Sequence, residues 1–132
     1  MKVYVFGNKD LVSDNLAFKV SKKLKKSNKD IEFIEIKPNE DLPFVDEKFV
    51  VILDVVLGID EIIEFEDIDR LSLSPRATVH DFDLAYQLKY LKKIGHLGKV
   101  TIIGLPMSEK KVDYLRIQSI LRKLVAQDMQ GS

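Results

Sequence analysis

Residues 49–53, Phe-Val-Val-Ile-Leu, are apolar without a break and run straight into Asp54. A strand with one face in water alternates apolar and polar residues, so an unbroken apolar run points to a strand covered on both faces. The architecture that supplies two covers is a largely parallel sheet with helices on each side, and this run belongs at its centre.

The flanking segments fit that arrangement. Lys2-Val-Tyr-Val-Phe6 is β-branched and aromatic and stops at Gly7-Asn8, a turn pair, so it reads as a first strand. Leu16, Ala17, Val20 and Leu24 then recur at helical spacing with lysines between them. Ser13 or Asp14 is placed to cap that helix, which runs to about Lys26. Residues 31–36 read as a second strand closed by Lys37-Pro38-Asn39. Ile62-Ile-Glu-Phe65 reads as a short edge strand of open direction, its acidic neighbours blunting edge pairing. Residues 70–79 read as a loop, and a helix is predicted from about Asp81 to Lys93, with Leu84, Leu88 and Leu91 on one face and Gly95 and Gly98 as stops. Residues 100–103 form the last predicted strand. Ser108 is read as the cap of a final helix carrying Val112, Leu115, Ile120, Leu121 and Leu124, and the polar residues after Ala126 are expected to fray. Strands alternating with helices imply right-handed crossovers and an α/β fold in three layers, α/β/α, with a largely parallel central sheet of the phosphorylase or hydrolase kind.

At 132 residues the chain is long enough for one sizeable core and short for two ordinary domains. The expectation is one domain over residues 1–128, with residues 129–132 as a disordered tail in which Gly131-Ser132 reads as a cloning remnant. Basic and acidic residues number 21 each, so bulk electrostatics predicts neither a nucleic-acid nor a membrane-surface partner. There is no cysteine, which removes disulfides, a thiolate nucleophile and cysteine-ligated metals; any site must use oxygen and nitrogen groups. The first strand starts almost at Met1, which leaves no room for a signal peptide, and no apolar run approaches membrane-spanning length, so the cytoplasm is the expected compartment.

Working groups in open α/β sheets gather beyond the carboxyl ends of the strands. Asp54, directly after Leu53, stands at the mouth of a buried strand, where its desolvation must be offset by a cation, a metal or a hydrogen-bond donor. Its other available role is to cap the turn Val55-Val-Leu-Gly58. Asp14, at the start of the first helix, is an ordinary N-cap or, with Ser13 as the cap, faces the crevice; Asp10 reads as a solvated loop residue. His80, in Ala77-Thr-Val-His80-Asp-Phe-Asp, can ligate a divalent metal or exchange a proton near neutral pH, or be satisfied by backbone at a helix start. His96, between Gly95 and Gly98, reads as a surface turn. Asp14, Asp54 and His80, brought together from three loops, make an oxygen and nitrogen metal site with room for a substrate ligand. The lone glycine of residues 7–14 matches neither the dinucleotide fingerprint nor the P-loop, and no Gly-x-Ser-x-Gly elbow is present.

In order and spacing, Gly7-Asn8, Asp14, Val50-Val-Ile-Leu-Asp54-Val-Val, His80 and Ile102-Ile-Gly-Leu-Pro106 resemble the nickel-iron hydrogenase maturation endopeptidases over residues 2 to about 107. The resemblance implies removal of a C-terminal extension from the hydrogenase large-subunit precursor once nickel is loaded. It implies that Asp14, Asp54 and His80 engage the nickel, which is carried by the substrate, so that no cofactor is bound at rest. It also implies a catalytic role for the same three residues, with a carboxylate as base for an attacking water. A monomer is expected. Ser13-Asp14-Asn15 stands where the family has two acids and a glycine, and Lys37-Pro38-Asn39-Glu40 replaces a segment with glycine and threonine, which marks a divergent member.

Two other functions compete. One is a non-catalytic nickel-recognising or partner-docking domain that keeps the fold and the three ligands. The other is a receiver-like domain phosphorylated on Asp54, which is weakened by Gly7-Asn8 standing where such a domain needs acidic magnesium ligands, and by Gly104-Leu-Pro106 without a following lysine.

Overall fold

The computed structural model describes residues 1–7, 15–36, 43, 45–56, 58–66 and 87–130. Their strands form one five-stranded sheet, built from β1 (Lys2–Phe6), β2 (Glu32–Ile36), β3 (Phe49–Val55), β4 (Ile63–Phe65) and β5 (Lys99–Leu105) in the order β2-β1-β3-β5-β4. The first three pairings of that order are parallel and the last, β5 with β4, is antiparallel.

The apolar run of β3 lies in the middle of this sheet, between β1 and β5, with Val50 to Leu53 almost fully excluded from solvent. Successive strand residues point to opposite faces, and both are covered. Val51, Leu53 and Val55 pack with Ile103, Leu105 and residues of two helices, α1 (Leu16–Ser27) and the C-terminal helix (Tyr114–Gln130, here α3). Val50 and Ile52 pack on the other face with Tyr4, Ile102 and Leu88, which belongs to α2, helical over residues 87–93. The chain is thus the three-layer α/β/α fold that the strand composition requires. Each fully buried aliphatic side chain, such as Leu121 or Leu124 on α3, contributes roughly 1.5–3 kcal/mol to holding a layer on the sheet.

Helix ends correct the predicted boundaries. Asn15, not Ser13 or Asp14, is the N-cap of α1, and its side chain makes no capping hydrogen bond. Ser108 precedes only a single 3-10 turn, Glu109–Lys111, while Asp113 opens α3 by accepting the Arg116 backbone N–H on Oδ1 at 3.1 Å. Leu115, in the first turn of α3, does not face the core as predicted, and it is 84% exposed. The polar end expected to fray after Ala126 is helical to Gln130. The stop after α2 is as predicted: Gly95 takes φ +80°, and the Gly95 and His96 N–H groups donate to Lys92 and Leu91 carbonyls, a Schellman closure.

Long polar braces tie α1 to α3 within one helical layer. Arg122 on α3 holds both carboxylate oxygens of Asp30 at 3.0 and 2.9 Å, and the same guanidinium reaches Oδ1 of the buried Asn28 at 2.8 Å. Asn28 also exchanges hydrogen bonds with Gln118, so its amide is satisfied in the α1–α3 interface, where an unpaired one would be costly.

Candidate functional site at the carboxyl edge of the sheet

Asp54 is the last residue but one of β3 and lies inside the strand, which runs on to Val55 where the sequence predicted an end at Leu53. It follows Val50 and Ile52 by alternation, so its side chain leaves the sheet on the α2 face. It is 6% exposed, and Oδ1 accepts the N–H of Val55 at 2.8 Å. A carboxylate buried this far has given up most of its hydration and is held by hydrogen bonds in compensation.

The neighbouring strand carries no side chain beside it. Asp54 pairs in register with Gly104 of β5, where a Cβ would stand 2.8 Å from Cγ1 of Ile63 and 3.0 Å from Cγ2 of Val56. The bare Gly104 lets β4 and the residue after β3 close over this end of the sheet. The last strand, predicted over residues 100–103, continues through Gly104 to Leu105. The signal available was Ile-Ile-Gly-Leu, a glycine within an apolar strand, which commonly marks close approach by another element.

Gly7, at the end of β1, and Leu105-Pro106, at the end of β5, are buried beside the same edge. Asp14 and His80, the two residues expected to join Asp54, lie outside the described residues, as do Asp10 and Ser13. Among the described residues, no group of three histidine, cysteine, aspartate or glutamate side chains is arranged to hold a metal ion.

His96 belongs to the opposite edge. It is half exposed in the turn before β5, as predicted, and its Nδ1 lies 2.6 Å from Oδ1 of Asp46. Asp46 in turn takes a left-handed φ of 66° and donates its backbone N–H to the His96 carbonyl. An open groove of about 650 Å³ at that amino edge is lined by Lys2, Lys48, Phe49, Lys99 and Asp128, remote from the buried Asp54. Among the described residues no helix is long and apolar enough to cross a membrane.

No family model matches the sequence, and no curated protein matches it either. Solved structures do. The hydrogenase maturating endopeptidase HybD from E. coli superposes with a TM-score of 0.61 at 17% identity, over 80% of this chain and 74% of that one. An endopeptidase from Escherichia coli superposes with a TM-score of 0.60 at 14% identity, over 96% of this chain and 89% of that one. At such identities the likeness is one of fold, and the chain has the α/β/α fold of these two endopeptidases.

Proposed function

We propose that this protein is an endopeptidase that removes the C-terminal extension of a nickel-loaded nickel-iron hydrogenase large-subunit precursor. The observation that carries the proposal is Asp54: a carboxylate 6% exposed at the carboxyl end of the central parallel strand, in a fold shared with two endopeptidases. The order of Gly7-Asn8, Asp14, Asp54, His80 and Gly104-Leu-Pro106 along the chain supports the same reading.

In this proposal Asp14, Asp54 and His80 engage the nickel that the precursor carries, and the metal is cargo of the substrate rather than a resident cofactor. Carboxylate oxygens and an imidazole nitrogen are suitable donors for such an ion. Engagement of the metal fixes the precursor so that the scissile carbonyl meets a water, from which a carboxylate removes a proton as the oxygen attacks carbon. The peptide bond then breaks, with the proton passed to the leaving amine. The low exposure of Asp54 strengthens its interactions with charge developing nearby. The protein acts as a monomer in the cytoplasm.

The test is to incubate the protein with nickel-loaded large-subunit precursor and follow the precursor by intact mass. Loss of a C-terminal peptide with the wild type, and its retention with Asp54→Asn, is the expected result. An unchanged precursor mass with the folded wild type overturns the peptidase assignment.

A further inference from the structure

Residues 15–29 carry Lys19, Lys22, Lys23, Lys25, Lys26 and Lys29 and no acidic residue, in a chain whose net charge is zero. Several cations elsewhere in the fold are answered: Lys99 meets Glu66, Lys111 meets Asp60, Lys123 meets Glu64 and Arg122 meets Asp30. On α1 and the turn after it, among the described residues, Lys23 pairs with Glu109 and the other five lysines have no ionic partner. Lys22, Lys25, Lys26 and Lys29 surround an open groove of about 530 Å³ that is lined as well by the buried Ile31. Asp30, the nearest acid in the chain, is already held at both oxygens by Arg122.

Helix chemistry accounts for part of this. Cations in a last turn are favoured by the helix dipole, which covers Lys25 and Lys26. Lys19 and Lys22 lie earlier, and the spacings of three and four among Lys19, Lys22, Lys23 and Lys26 set like charges side by side, which destabilises a helix. The fold carries a self-repelling surface that an external anion would relieve.

We infer that this face of α1 is a docking surface for an acidic segment of another protein. Among the described residues, none of the exposed large apolar side chains belongs to α1 itself, so the helix lacks the apolar wedge of a membrane-surface helix. No aromatic ring lines the groove, so it offers no stacking platform for nucleic-acid bases. The adjoining β2 carries Glu32 and Glu35, which ends the positive surface after one helix, a length suited to a short run of carboxylates. The inference goes beyond the peptidase reading and uses none of its residues.

The experiment measures fluorescence anisotropy of a labelled twelve-residue polyglutamate peptide against the full chain. Binding is expected that weakens as salt is raised from about 20 mM to about 300 mM. Lys22→Glu with Lys26→Glu is expected to weaken it at least ~10-fold, while Lys92→Glu with Lys93→Glu, the same charge change on α2, leaves it within about twofold. Absence of binding to the wild type, or equal loss in the two double variants, overturns the inference. So does tighter binding of a single-stranded DNA twelve-mer or of phosphatidylserine vesicles than of the peptide. Thermal melts of both variants verify that each is folded, and none of these readouts depends on proteolysis.

Discussion

Asp54 on β3 stands opposite Gly104 on β5, the last pair but one of a parallel ladder that runs from Phe49 and Lys99 to Val55 and Leu105. One partner supplies a buried carboxylate, and the other supplies no side chain at all, which lets Ile63 and Val56 close over the same edge. The chemistry of one and the packing of the other are separable by mutation.

Asp54→Asn keeps the shape of the side chain and an oxygen for the Val55 N–H but removes the charge. Precursor processing under single-turnover conditions is expected to fall by about 10²–10⁴-fold, the range for loss of a general acid or base, with the urea midpoint little changed. A variant that processes at the wild-type rate would remove Asp54 from the mechanism.

Three glycines should rank in order when changed to alanine. At Gly98 a Cβ would stand 2.3 Å from the Glu47 carbonyl oxygen and 2.5 Å from that of Lys48, both backbone atoms that cannot swing away, so Gly98→Ala is the most damaging. At Gly104 the obstacles are side chains, and overpacking of this kind costs about 1–3 kcal/mol. Gly95 has open space but a φ of +80°, so Gly95→Ala carries only the conformational cost of a left-handed residue, about 1 kcal/mol. Urea unfolding of the three variants checks the order, and Ile63→Ala should recover part of the loss in Gly104→Ala.

The pair of Arg122 and Asp30 should show itself in acid. The hydrogen bonds from Arg122 hold the Asp30 carboxyl below its ordinary value of 3.8, so the folded state favours the ionised form. Stability from this source is present above that value and is lost as the pH falls through the lower folded one. Arg122→Ala should therefore melt below the wild type at pH 7, with the difference narrowing steadily below about pH 4. What persists at the acid end reports the Asn28 contact, which does not titrate. A difference independent of pH would assign the whole effect to packing.

Tyr4 should act at the alkaline end. Burial first, and then its 2.6 Å hydrogen bond to Glu47 Oε1, push the Tyr4 phenol above its ordinary value of 10. A group whose pKa is raised by folding stabilises below the unfolded value and loses that contribution as the pH rises beyond it. Tyr4→Phe is expected to cost about 0.5–1.5 kcal/mol at pH 7 and to approach the wild type above about pH 10. Chemical denaturation at pH 7 and pH 11 measures both, and parallel losses at the two values would contradict the assignment.

Much of the fold is legible in local pattern. The unbroken run of residues 49–53 signals two covered faces because side chains alternate along a strand, and β3 is indeed the central strand. Gly95 after an amphipathic helix announces its Schellman end. Caps are less legible, since Ser108 and Asp113 are both good capping residues and only the packed stripe of Ile117, Ile120, Leu121 and Leu124 decides which begins α3. Leu115 is exposed because, at 100° per residue, it falls on the opposite side of α3 from the stripe of Ile117, Ile120, Leu121 and Leu124. Of the candidate site, Asp54 was readable because it directly follows an apolar run, whereas Asp14 and His80 lie outside the described residues and no local rule brings either to Asp54.

By itself, the sequence determined which segments are strands and helices, that the sheet is covered on both faces, and that a carboxylate stands at the end of the central strand. These follow from side-chain period and from the cost of burying polar groups, which act over a few neighbouring residues. Only the tertiary structure decided the strand order, the antiparallel entry of β4, the placing of Gly104 opposite Asp54, and the bond between Arg122 and Asp30 across 92 residues of chain. Those are choices among partners distant in sequence. They are made by shape and charge matching once the layers have met, which is why the apolar run foretold where Asp54 would stand but not the bare glycine beside it.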